Sequence, residues 1–315
     1  MSAVAPSAAD RLIERHSPTP IAGRGLPVGA VVGPMSSNRN ARTMKSSLLI
    51  RSAFALALLA AAPWAQALVF AVNEGVTYRV PADEIRARYA AIAADLSKLL
   101  KQPVTVEPVG DYPSLTKGLA AKSYDLAMVH PAHLSITAIK ESGYKLVVVT
   151  KGYEQYKASF LVRADSPLKT VADLKGLKIG MPDENSITAW IARATLRDAN
   201  VDPKAAPITY TRYQDAVPFF VENKLTAVGA TASNSLVKTW QAGGGKVLAQ
   251  SRPVPIKHII ASPNLGVEQI ERVREYLMSL DSTEEGRRKL EPSKYTGFDR
   301  YDEKALLALG VWLGL

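Results

Sequence analysis

The stretch LKIGMPDENSITAWIARATLRDANV, Leu177 to Val201, decides how the chain is read. It opens with the apolar run Leu177 to Met181, turns through Pro182 and Asp183, and sets Asn185, Ser186 and Thr188 just before a segment of helical period. A strand is handed to a helix through a polar elbow. Asn or Ser at such an elbow can cap the helix, while the amides of the first turn lack intrahelical acceptors and carry partial positive charge. Two hydroxyls beside those amides make an anion cradle, although plain capping accounts for the same residues taken alone. The flanking chain decides between the two.

Working outward, 315 residues suit one large or two modest domains, and a 47% hydrophobic share is enough for a proper core. There is no cysteine, which excludes disulfides, thiolate metal sites and cysteine nucleophiles. The compartment is read from Met44 to Ala67, MKSSLLIRSAFALALLAAAPWAQA. Lys45 and Arg51 give a basic start, Ser52 to Ala62 is an apolar run too short to span a bilayer, and Ala65-Gln66-Ala67 is a small-x-small cleavage site. This is the pattern of a secretory signal peptide cleaved after Ala67, with the mature protein in the periplasm. Residues 1–43 are rich in Ala, Pro, Gly and Arg without periodicity, as in an upstream extension that is disordered or precedes a true start at Met44. Beyond residue 67 the chain has 32 basic and 27 acidic residues, a net charge of +5, which suits a small anionic ligand as well as ordinary solubility. No basic block interleaved with aromatics occurs, so nucleic acid is not an expected partner.

From residue 68 strands and helices alternate. Leu68 to Val72, Val104 to Val109, Tyr124 to Val129 and Lys145 to Thr150 read as strands. Between them lie helices over Ala82 to Lys101, where Ile85, Tyr89, Ile92, Leu96 and Leu99 recur at three and four, over Asp111 to Lys122, and after His133. The pattern restarts with strands at Lys157 to Arg163, Leu177 to Met181, Ile208 to Thr211, Ala227 to Ala230 and Val247 to Gln250. Helices are expected after Ser186 and over Gln214 to Asn223 and Ser233 to Ala242. After Pro253 and Pro255 comes a strand at Ile256 to Ala261, then helices at Val267 to Leu280, Thr283 to Leu290 and Asp302 to Leu313. Strand and helix at this spacing predict parallel sheets with helices on their faces. The strand-poor tail is expected to return over the first lobe, giving lobe 1 from residues 68–155 and 253–315 and lobe 2 from 156–252. Two crossings then join the lobes near Tyr153 to Lys157 and Arg252 to Ile256. Ligands of open α/β sheets bind beyond the carboxyl ends of the strands, here around Gly110 to Ser114, His130 to His133, Asp183 to Thr188 and Tyr213 to Asp215.

The pieces DYPSLTKGLAAKSYDLAMVHPAHL, YKASFLVRADSPLKTVADLKGLKIGMPDENSIT and YQDAVPFFVENKLTAVGATAS resemble the phosphonate/phosphite-binding family of periplasmic solute-binding proteins of ABC transporters. The resemblance runs from about Val104 to Pro263. It implies an α/β type II periplasmic binding protein fold of two lobes, each a mostly parallel sheet flanked by helices, joined by two crossings. It also implies capture of a phosphonate, phosphite or phosphate class ligand for a membrane permease, by a monomer without cofactor. Position by position, the family's aromatic after the second strand is Tyr112, and its hydroxyl-rich elbow is Asn185, Ser186 and Thr188. Where the family has a Gly-Pro and a downstream Tyr, this chain has His130-Pro131 and then His133-Leu134. Its Ser-His-Asp run is Tyr213-Gln214-Asp215 here, and its next-strand Asp falls near Thr226, removing a carboxylate that could meet a ligand ammonium.

The candidate ligand residues are thus Tyr112, His130, His133, Asn185, Ser186, Thr188, Tyr213 and Asp215. His130 and His133, three apart at a helix start, could share a metal, but no third ligand stands nearby and none is expected. His258, in an apolar strand, reads as a core or hinge histidine. G-x-S-x-G and H-E-x-x-H are absent, and nothing in the sequence sets a base beside Ser186, so catalytic residues are not expected. Two alternatives stay open: a ligand-sensing subunit for a membrane receptor, which uses the same closing lobes, and a secreted enzyme.

Overall fold

The computed structural model describes residues 66–75 and 80–315. The readings of the upstream extension and of the signal peptide as far as Ala65 lie outside the described residues.

The chain begins its first sheet at β1 (Leu68–Asn73), whose residues alternate between two apolar clusters: Phe70 and Val72 face one, Ala71 the other. A strand buried on both sides needs helices over both faces. Helix α1 (Ala82–Leu100) covers the first face with Ile85, Tyr89, Ile92, Leu96 and Leu100, and ends on Lys101 in the left-handed conformation at φ +54°. After β2 (Val104–Pro108) come α2 (Tyr112–Ala120), β3 (Leu126–Val129), α3 (Ala132–Ser142) and β4 (Lys145–Thr150). The second sheet holds β5 (Ser159–Val162), β6 (Ile179–Met181), β7 (Ile208–Tyr210), β8 (Val228–Thr231) and β9 (Lys246–Gln250). Its helices are α4 (Ile187–Asp198), α5 (Ala216–Glu222) and α6 (Asn234–Ala242). The chain then adds β10 (His258–Ala261), α7 (Val267–Ser279), α8 (Glu284–Leu290), a two-residue β11 (Phe298–Asp299) and α9 (Glu303–Leu313).

The first sheet has the order β11-β4-β10-β3-β1-β2 and the second β7-β6-β8-β5-β9. In each, three strands pair in parallel about a middle one, β1 or β6, and one antiparallel strand, β10 or β5, is inserted beside the third. The two lobes therefore share one plan.

Two strands of chain cross between them side by side. Val254 N donates to Tyr156 O at 2.9 Å, Ile256 N to Tyr153 O at 3.1 Å and Ser251 N to Ala158 O at 2.9 Å. At their base the buried Lys257 ammonium donates to Tyr295 Oη at 3.1 Å and sits 4.2 Å from the Tyr153 ring centre and 4.7 Å from that of Tyr295. Ring faces and a hydroxyl replace the carboxylate a buried lysine usually takes, and burial brings its pKa down to about 8.

The tail does more than cover the first lobe. Arg274 of α7 donates to Val147 O and Leu146 O of β4, at 2.8 and 2.9 Å. Helix α9, however, packs on α3 of the first lobe and on α4 of the second. Arg197 donates to Trp312 O at 2.8 Å, and Trp312 Nε1 donates to Asp198 Oδ2 at 2.9 Å. His258 is wholly buried, with Nε2 on Pro255 O at 3.1 Å and Nδ1 on the Ser135 hydroxyl, so it joins core to crossing.

Candidate ligand-binding cleft

The elbow follows β6. Asp183 organises it: its carboxylate accepts from Asn185 N at 2.8 Å and its carbonyl from Ser186 N at 2.8 Å. Ser186 is the N-cap of α4, its Oγ accepting from Ala189 N at 3.2 Å. Capping leaves the amides of Ile187 and Thr188, the first two of the helix, without intrahelical acceptors. The Thr188 hydroxyl is turned inward, 2.8 Å from the Tyr156 hydroxyl, on a residue only 1% exposed.

Across from the elbow stand the starts of α2 and α3. Asp111 caps α2 by accepting from Ser114 N at 2.7 Å, which brings Tyr112 to the helix start. A cavity of about 650 Å³ lies between, lined by Asp111, Tyr112, Lys117 and His133 on one side and Asp183, Asn185 and Trp190 on the other. Its walls meet: the His133 ring stacks on Trp190 with centroids 5.2 Å apart and planes 19° from parallel, and Tyr112 meets His133 edge-on at 6.2 Å. Arg193 lies over the Trp190 ring at 4.9 Å and donates to Glu184 O and Tyr210 Oη, each at 3.1 Å.

His133 is 4% exposed, and neither its Nδ1 nor Trp190 Nε1 has a hydrogen-bond partner. Burial, reinforced by the Arg193 charge, takes the His133 pKa down to about 3, so the ring is neutral. His130 is also pushed to about 3, by burial first and then by Lys257 and the other histidines.

The expected residues do not all meet. Tyr112, His133 and Asn185 line the cavity, with Ser186 and Thr188 in the helix start beside it. His130 packs instead against Gly75, where an added Cβ would lie 2.9 Å from its ring. Tyr213 is 40% exposed under the Arg212 guanidinium, 5.2 Å from the ring centre. Asp215 lines a separate cavity of about 430 Å³ with Arg163 and Trp240. Thr226 is buried against Gly180, away from the cleft lining. Among the described residues, no group of three or more His, Asp or Glu side chains could hold a metal ion.

Sequence reading missed Trp190, Asp111 and Asp183. Trp190 is the fourth residue of α4 and reads as one more apolar helix position. Asp111 caps α2 and Asp183 orders the turn of the elbow, and both also line the cleft, one from each lobe.

A two-lobed α/β chain, both sheets built to one plan and its lobes meeting over a polar cleft at a helix start, is a binding protein of the type II periplasmic class. The chain belongs to the family described as ABC transporter, phosphonate, periplasmic substrate-binding protein, whose model matches residues 75–306. No curated protein matches it. Among solved structures it is similar to XAC2383 from Xanthomonas citri bound to ATP, at TM-score 0.64 and 15% identity over 79% of this chain and 97% of that one. It is similar to PhnD1 from Prochlorococcus marinus in complex with methylphosphonate, at TM-score 0.57 and 16% identity, covering 78% and 96%. A binding protein component of an ABC phosphonate transporter from Pseudomonas aeruginosa, PA3383, gives TM-score 0.54 and 19% identity, covering 78% and 85%.

Proposed function

We propose that the protein captures a small oxyanion of the phosphonate, phosphite or phosphate class between its lobes and presents the closed form to an ABC permease, without transforming the ligand. The observation that carries this reading is the start of α4. Ser186 spends its acceptor on the cap, which leaves its own proton and the amides of Ile187 and Thr188 to meet an anion, with the Lys117 charge across the cavity. Tyr112 and His133 hold the other side. Asp111 and Asp183 offer negative charge to a cationic substituent, so amino-bearing phosphonates return to the set of ligands to test despite Thr226.

In this reading residues 68–155 and 253–315 form one lobe, residues 156–252 the other, and the protein acts as a monomer exported by a signal peptide cleaved after Ala67. The fold supports that boundary: Leu68 is the first residue of β1 and its amide already donates to Pro103 O at 2.8 Å. The intact mass of exported protein should start at Leu68.

A melting panel of phosphate, phosphite, alkyl- and aminoalkylphosphonates, sulfonates and sulfate tests the ligand class. A ligand at a hundred times its Kd should add about 2.7 kcal/mol of stability. Shifts only with neutral or purely cationic compounds would refute the oxyanion reading, and turnover of any member would establish an enzyme.

A further inference from the structure

Behind the elbow a line of hydrogen bonds runs from backbone amides to the Thr188 hydroxyl. Ala232 N donates to Gln214 Oε1 at 2.7 Å. Thr231 Oγ1 donates to the same oxygen at 3.0 Å, having itself accepted from Ser233 N at 3.2 Å. A backbone N–H can only donate, so both paths fix Gln214 Oε1 as the acceptor and turn Nε2 the other way. That nitrogen donates to the Tyr156 hydroxyl at 3.4 Å.

Tyr156 then has one proton and one acceptor to give it to, Thr188 Oγ1 at 2.8 Å. Burial raises the phenol above its ordinary pKa, so it keeps that proton to donate. Thr188, having accepted, is left with its own proton for a partner on the elbow side. The direction of the whole line is set at its far end, by amides that cannot reverse.

We propose that Tyr156 and Gln214 are positioning residues that fix the Thr188 hydroxyl as a donor, so that this corner of the cleft offers a ligand oxygen a hydrogen-bond proton rather than a lone pair. The proposal rests on the oxyanion reading above and adds the polarity of one contact and the residues that set it. It also gives Tyr156 a second duty, because the same residue bridges to Val254 in the paired crossings.

A double-mutant cycle tests it, read by isothermal titration calorimetry with methylphosphonate and inorganic phosphate as probes. Tyr156→Phe should weaken binding about tenfold or more in the wild-type background, the scale of a bond to a charged group. In a Thr188→Val background the same change should cost less than about twofold, since the hydroxyl it positions is gone. Gln214→Glu still accepts from Ala232 and Thr231 but cannot donate to Tyr156. The tyrosine proton turns toward Glu, Thr188 donates to Tyr156, and ligand affinity should fall as far as in Tyr156→Phe, in a variant whose shape is unchanged. Thr188→Ser should regain both the affinity lost in Thr188→Val and the sensitivity to Tyr156→Phe.

A structural role alone would lower the melting point without coupling. Equal losses from Tyr156→Phe in both backgrounds, or undiminished affinity in Gln214→Glu, would overturn the relay while leaving the oxyanion reading in place. Wild-type protein that binds neither probe would overturn both.

Discussion

His133 shows how one side chain is shaped by two lobes. Its element, α3, belongs with the first sheet, its stacking partner Trp190 with the second, and Arg193 beyond Trp190 helps to keep it uncharged. His130 and His258 are likewise held neutral, with burial as the main cause, at about 3 and about 4. The sign of the pH effect follows from the direction of these shifts. An unfolded histidine takes up a proton below about 6.5, whereas these folded ones do not until about pH 3 to 4. Stability is therefore undiminished above pH 6.5 and falls as the solution is acidified from there, by about 1.4 kcal/mol per pH unit for each such histidine once its unfolded form is protonated. Melting temperatures between pH 8 and 4 should show the fall, and His133→Phe, which keeps a ring against Trp190, should make it shallower. An unchanged slope in that variant would mean that His133 is not held neutral.

At the scale of the element, α9 is the informative case. Its Gly310 lies so close to α3 that an added Cβ would stand 2.5 Å from Cγ2 of the wholly buried Ile136. Replacing Gly by Ala within a helix ordinarily favours folding by about 1 kcal/mol. Here the methyl has no room, and overpacking costs about 1–3 kcal/mol, so Gly310→Ala should lower the melting temperature rather than raise it. A raised melting temperature would show that α3 and α9 can separate to admit the methyl. The sequence carried most element positions because apolar spacing is local: Lys145–Thr150 has the expected bounds, and α1 ends one residue from its expected end. What it did not carry is where α9 goes. KALLALGVWL is apolar on nearly all sides, yet the helix packs on two others with only Leu306, Gly310 and Leu313 buried, while Val311 is 75% exposed. Which two cannot be read from one segment, because the answer depends on the meeting of the lobes. The cleft divides in the same way. The elbow, Tyr112 and the helix start at His133 were legible as strand ends, but the Trp190 stack and the Gln214 line join residues far apart in sequence.

For the whole molecule, the shared plan of the two sheets conceals a difference in timing. The second sheet is made from one uninterrupted length of chain, β5 to β9. The first is not: its central strand β10 fits between β3 and β4, and its residues 258–261 come after the whole of the second sheet. Until β10 arrives, β3 and β4 have no common partner and the first sheet stays split down its middle. Loop closure over more than a hundred residues is slow, and chains synthesised or exported amino end first make long-range strands wait. Pulsed hydrogen exchange during refolding should therefore protect the amides of β6 and β8 before those of β3 and β4; the opposite order would mean that the split sheet holds together without its centre. A half-built first sheet exposes two unpaired strand edges. For a chain of a periplasmic family, the late strand acts as a delay: the first sheet cannot close until the portion bearing β10 has followed it.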